Sequence, residues 1–360
     1  MTTHLQGNCL ALLIGSMPVE GHREASELVF RFTGDIPLWV QLPRHPAEAM
    51  IPQFLPGYPG RVRDGGKDYI DLAGDAFAEE SVSFFEDFLS VTEDGKPLDG
   101  TRFSMSEEEA RGFFVFEDRL HRQTAPPIAV KGQITGPITF TTGVKDQDGR
   151  ALFYDEQARD MAVKHLALKA AWQVRRLSRA AVAPVIVFLD EPALAGFGSS
   201  EMISIGRDAV VGCLSEIVAT LRREGAFSGI HVCANTDWGM VMESSVDIVN
   251  FDAYSHFDRF VLFPESIGAH LKKGGWIAWG IVPTADPDAV NAETVDSLFQ
   301  RWQRQLGLME AVGVERETLL RQSLITPSCG MGSLDEAHAL RVLELTRDLS
   351  QRIRDAYGLV

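Results

Sequence analysis

Ile230-His231-Val232-Cys233-Ala234-Asn235-Thr236-Asp237-Trp238 begins as an apolar strand and breaks into turn and helix-start residues, and its reading decides the fold. In a β-strand alternate side chains face the same way, so His231 and Cys233 point together while Val232 faces the opposite side. A run of the same kind, Leu324-Ile325-Thr326-Pro327-Ser328-Cys329-Gly330, supplies a second cysteine far downstream. Imidazole with two thiolates is a soft donor set that suits zinc. Three protein ligands leave one position open, the pattern of a catalytic rather than a structural site.

Working outward from that strand, eight short apolar runs end in polar or turn residues: 11–16, 38–42, 128–134, 185–189, 229–233, 248–251, 276–280 and 323–325. Helix-like segments lie between most of them. The clearest is 155–181, where Met161, His165, Leu168, Ala171, Trp172 and Leu177 recur at helical spacing, and others span 201–223, 264–273, 292–312 and 334–356. Strand and helix in alternation over this length predict an α/β chain folded as one (β/α)8 TIM barrel across residues 1–360. Residues 52–126 break the alternation after the second run. With Gly57-Tyr58-Pro59-Gly60, the charged Asp64-Gly65-Gly66-Lys67-Asp68 and a phenylalanine-rich tract, they read as an insertion packed on the barrel, with room for a hairpin.

Composition narrows the partners. Lys and Arg number 34 against 50 Asp and Glu, a formal charge of −16, which argues against a nucleic-acid partner and against anionic membrane surfaces. No apolar run approaches the ~20 residues of a membrane span, and the start of the chain lacks a basic, cleavable leader, so a cytoplasmic location is expected. The four cysteines, at 9, 213, 233 and 329, contain no close pair and form no disulfide framework. Cys9 and Cys213 read as buried, inert thiols.

In a barrel of this type the reacting groups gather at the carboxyl ends of the strands. Here those ends read Ile14-Gly15-Ser16, Thr135-Gly136-Pro137, Asp190-Glu191-Pro192, His231 with Cys233, Asn250-Phe251-Asp252 and Ser328-Cys329-Gly330. Asp252 is either a carboxylate ligand or an acceptor that orients His231. Asp190 and Glu191 either meet an ammonium or a moving proton, or serve as helix-start carboxylates beside Pro192. Gly15, Ser16 and Thr135 offer a hydroxyl or close backbone approach to a substrate. Asp237, Glu243 and Asp247 read as solvated acids, and His22, Arg23, Arg44 and Tyr254 as rim residues. Two thiolates already bound would blunt zinc's acidity toward water, so the fitting reaction is alkylation of a third, substrate thiol ionised by coordination.

These residues resemble the C-terminal catalytic barrel of cobalamin-independent methionine synthase, in the superfamily of uroporphyrinogen decarboxylase and the corrinoid-linked thiol methyltransferases. The resemblance implies that Gly15-Ser16 forms the substrate-backbone loop and that Thr135-Gly136-Pro137 is the family's Thr-Gly-Pro turn. It places Asp190 and Glu191, as catalytic and substrate-binding residues, at the amino group of homocysteine. His231, Cys233 and Cys329 match the zinc ligands, and Asp252 stands where the family has a glutamate ligand. Full enzymes of that class carry a second barrel that helps hold methyltetrahydrofolate, and the Gly-Glu motif tied to substrate binding is not recognisable in 52–126. The expected activity is therefore zinc-dependent methyl transfer to a small thiol, homocysteine first, with a methylated corrinoid protein or a methylated small molecule as donor. A metal-free decarboxylase resembling uroporphyrinogen decarboxylase and a zinc-binding scaffold without activity are the competing readings. The decarboxylase would need a basic rim for its substrate's carboxylates.

Overall fold

A computed structural model describes residues 5–311 and 313–359; residues 1–4 and 360 of the expected domain, and residue 312 at the expected end of one helix, lie outside the described residues. The strands are β1 (Leu10–Ala11), β2 (Arg61–Asp64), β3 (Lys67–Ile70), β4 (Val130–Thr135), β5 (Val185–Asp190), β6 (Phe227–Val232), β7 (Ile248–Phe251), β8 (Trp276–Val282) and β9 (Ser323–Pro327). Seven of them form one parallel sheet in the order β1-β9-β8-β7-β6-β5-β4, curled as in a TIM barrel. Helices separate most successive strands, as right-handed parallel crossovers require.

The barrel is not closed by a continuous ladder. The run 38–42, expected as the second strand, makes one parallel bridge to each side, Ser16 with Gln41 and Leu38 with Lys131. Pro37 has no N–H to give the ladder. Side chains do the joining instead: Gln133 donates to the Trp39 carbonyl at 2.9 Å, the Trp39 indole donates to Gln173 at 2.9 Å, and Gln173 donates to the Gln133 carbonyl at 2.9 Å. The first run is also shorter in hydrogen bonds than expected, with only Leu10–Ala11 in strand pairing.

Residues 52–126 hold the antiparallel hairpin β2–β3 and the helices Asp75–Thr92 and Arg111–Leu120. They pack on the helix Glu156–Ala180: Tyr58 donates to the Ala158 carbonyl at 2.7 Å, His165 donates to the Phe54 carbonyl at 2.9 Å, and the Phe113 and Trp172 rings lie 4.8 Å apart. Asp155 caps that helix by accepting from the Ala158 N–H. No helix among the described residues is long and apolar enough to cross a membrane.

Side-chain alternation along the strands divides the barrel interior into two levels. Leu12, Ile36, Ile186, Phe188, Ile248 and Trp276 belong to an apolar cluster distinct from the larger core between strands and helices. Each such side chain contributes roughly 1.5–3 kcal/mol when fully buried. Further along most of the strands the same inward row turns polar, with Lys131 and Gln133 on β4, Asp190 on β5, His231 on β6, Asn250 on β7 and Thr326 on β9. Apolar packing fixes the lower level, so the polar groups gather at the carboxyl-end rim.

Candidate metal centre

His231, Cys233 and Cys329 bring one ligand atom each to within 4.8 Å of one another. Strand β6 aims His231, the bend that follows it carries Cys233, and the turn after β9 brings Cys329 to them. His231 is 4% exposed, and its Nε2 has no hydrogen-bond partner although it is buried. Its other nitrogen explains why. Asn250 donates both amide hydrogens, to the Ala278 carbonyl and to Thr326 Oγ1, each at 2.8 Å, so its Oδ1 faces the imidazole. His231 Nδ1–H must then be the donor in that bond, which leaves the Nε2 lone pair bare. Burial drives the imidazole pKa down to about 4, so the ring is neutral, as a ligand must be. The Cys329 thiol donates to Cys233, pulling the Cys233 pKa down to about 7 and pushing that of Cys329 up. A neutral imidazole with a bare nitrogen, beside two close thiols of which one is drawn toward the thiolate, fits a zinc ion with an open fourth position.

The three ligands line a cavity of about 420 Å³ whose walls also include Ile14, Pro43, Ala49, Met50 and Pro192. Gly15 and Ser16 line it, and Ser16 ties two loops together: its hydroxyl accepts from Gly332 N–H and its carbonyl from Met331 N–H. Asp190 lines it too, 7% exposed, with a buried Oδ1 that has no partner.

Asp190 and Glu191 separate sharply. Glu191 turns away from the cavity and accepts from Ile138 N–H and Thr139 N–H at 2.8 Å and from the Thr139 hydroxyl at 2.7 Å, at the start of the helix Pro137–Gly143. Burial pushes its carboxyl up to about 7 against those donors. The helix-start reading therefore describes Glu191, while Asp190 faces the cavity. Thr135 likewise spends its hydroxyl on the Met50 carbonyl at 2.6 Å, tying the loop before the insertion to β4. Asp252 lies outside the three-ligand cluster, and its Oδ1 accepts from Ser255 N–H at 2.8 Å. The orienting acceptor for His231 is Asn250, two residues before Asp252.

Lys131 is the residue that sequence reasoning missed. Fully buried, it donates to the Ile14 carbonyl and to Gln133 Oε1 at 3.3 Å, and its ammonium stands 4.7 Å from the Phe188 ring centre. Burial lowers its pKa to about 8 while the Asp190 charge opposes that; burial raises Asp190 to about 7 while Lys131 opposes that. The signal was present: a lysine in an otherwise apolar strand, in phase with Gln133 and Thr135. Other candidates are structural. Asp237 and Glu243 pair with Arg207, and Asp247 accepts from Ser228. Burial pushes Cys9 up, and Cys213 up to about 11, as inert thiols require.

No family model and no curated protein matches this chain. Among solved structures, it is similar to a methyltransferase from Methanosarcina mazei, 12% identical over 94% of each chain with a TM-score of 0.52. It is also similar to a B12-independent methionine synthase from Shewanella sp. W3-18-1, in complex with selenomethionine, 18% identical over 68% of each chain with a TM-score of 0.48. At such identities the first likeness shows a shared fold, and the second carries no further weight.

Proposed function

We propose that this protein is a zinc-dependent methyltransferase that moves a methyl group onto a small amino-thiol, homocysteine first among the acceptors. The observation that carries the reading is the cluster of His231, Cys233 and Cys329 at a cavity, with a buried Nε2 held bare by Asn250. The fold shared with a methyltransferase is compatible with it. His231, Cys233 and Cys329 would hold the ion, and a bound zinc would supply the positive charge that lets a substrate thiol ionise at neutral pH.

The chain's own residues do the rest. Asp190 offers its unpartnered oxygen to the acceptor's ammonium, and Lys131 beneath it helps keep that carboxylate charged. Gly15 and Ser16 let the acceptor's backbone approach closely. The apolar walls exclude water, and most of the acceleration comes from holding thiolate and methyl carbon in line. Among the described residues no lysine or arginine lines the cavity, which disfavours a decarboxylase acting on a polycarboxylate.

The test is elemental analysis of the purified wild type and Cys329→Ser, with zinc-edge X-ray absorption before and after homocysteine is added. One zinc per chain, weakened in the variant and gaining a sulfur neighbour with homocysteine, is expected. Wild type without stoichiometric zinc would overturn the reading.

A further inference from the structure

We infer that the methyl donor is a small onium compound, a sulfonium or quaternary ammonium, taken into the same cavity as the thiol; this rests on the function proposed above. The side chains lining the cavity carry one sign of charge. Among the described residues, Asp190 and Glu48 line it and no cation does. The basic groups close by are turned elsewhere. Arg44 pairs with Glu20 at 3.4 Å and Glu336 at 4.0 Å, and Lys131 gives its hydrogens to Ile14 and Gln133 beneath the cavity floor. A donor bearing phosphates or several carboxylates would meet carboxylates with nothing to compensate its charge. A cation meets no like charge on the walls.

Size points the same way. At about 420 Å³ the cavity sits low in the range of roughly 300–1,000 Å³ for small-molecule sites, enough for an amino-thiol and a compact donor. Ile14, Pro43, Ala49, Met50 and Pro192 give the donor's methyl groups apolar walls.

The reaction itself favours an onium here. The acceptor's thiolate sulfur forms a bond to the methyl carbon as the C–S⁺ or C–N⁺ bond breaks. The bonding pair stays with the departing sulfur or nitrogen, and a neutral thioether or amine leaves. No proton, oxidant or reductant is needed. One anion and one cation become two neutral groups, a change that a dry apolar wall promotes and water opposes. A neutral methylamine donor would need an acid to protonate its leaving nitrogen; Asp190 is assigned to the acceptor's ammonium, and the other candidate side chains are engaged. Glu48 accepts from His22 at 2.6 Å and from Leu42 N–H at 2.8 Å, while His231 Nδ1 is bonded to Asn250.

The experiment uses the zinc-loaded wild-type chain with homocysteine, comparing S-methylmethionine, dimethylsulfonioacetate and glycine betaine with methylcobalamin and 5-methyltetrahydrofolate, and with methyl iodide as a neutral control. Methionine formation from at least one onium, with kcat/KM at least a hundredfold above methylcobalamin and methyltetrahydrofolate, is expected. Met50→Arg, which sets a cation in the half-exposed wall, should lower that kcat/KM at least tenfold more than it lowers alkylation by methyl iodide. Zinc-dependent alkylation by methyl iodide without transfer from any onium, or faster transfer from methylcobalamin or methyltetrahydrofolate, overturns the inference and leaves the thiol methyltransferase reading standing. Absence of zinc-dependent alkylation by methyl iodide brings down that reading, and the inference with it.

Discussion

Asn250 holds His231 in a single tautomer. Both Asn250 amide hydrogens are committed, so its oxygen takes the His231 Nδ1–H and leaves Nε2 free to bind. Partners of this type are worth about 10–100-fold in metal affinity. Asn250→Leu is therefore expected to weaken zinc by that factor in competition with a chromogenic chelator, with the three ligands intact. Unaltered affinity would mean that the hydrogen bond does not set the ligand.

Asp190 and Glu191 are adjacent, yet they should fail differently. Glu191→Ala strips the first turn of the helix Pro137–Gly143 of its acceptor and leaves two buried amides unpaired, costing roughly 3 kcal/mol or more. Asp190→Asn should fold with little loss and raise KM for an amino-thiol well above the change for a thiol without the amine. Denaturant unfolding and acceptor kinetics on both variants separate the roles.

Lys131 and Asp190 should act as one unit. Lys131→Met leaves a buried carboxylate with no cation, so amino-thiol binding at neutral pH is expected to fall at least tenfold. Adding Asp190→Asn to it should cost little more, because the pair's contribution is already lost. Strict additivity in the double-mutant cycle would show that the two do not cooperate.

A second buried lysine makes a pH prediction away from the site. Lys169, held by the Ser104 carbonyl at 3.2 Å, has its pKa lowered by burial from 10.5 to about 8. Between those values the unfolded chain carries a proton that the folded chain has released, so this group's contribution to stability rises with pH. The unfolding free energy of wild type minus that of Lys169→Met is expected to climb from pH 8 toward 10.5. A flat difference across that window would falsify the burial argument.

The alternation of apolar runs and helical segments determined the barrel-like fold from sequence, because period-2 and period-3.6 patterns are local and survive without knowledge of contacts. The same alternation put His231 and Cys233 on one face, and the placement of strand ends brought Cys329 to them. Tertiary structure alone decided which of two adjacent carboxylates faces the cavity: the helix Pro137–Gly143, on another segment, claims Glu191 and leaves Asp190 free. It also decided that 38–42 joins the barrel by one bridge on each side, since that depends on where Trp39, Gln133 and Gln173 meet. Lys131 and Asn250 belong to the same class. Their residue types were visible in the chain, but what each bonds is a matter of neighbours from other strands, and hydrogen bonds and charge pairs across a barrel have no period along the sequence.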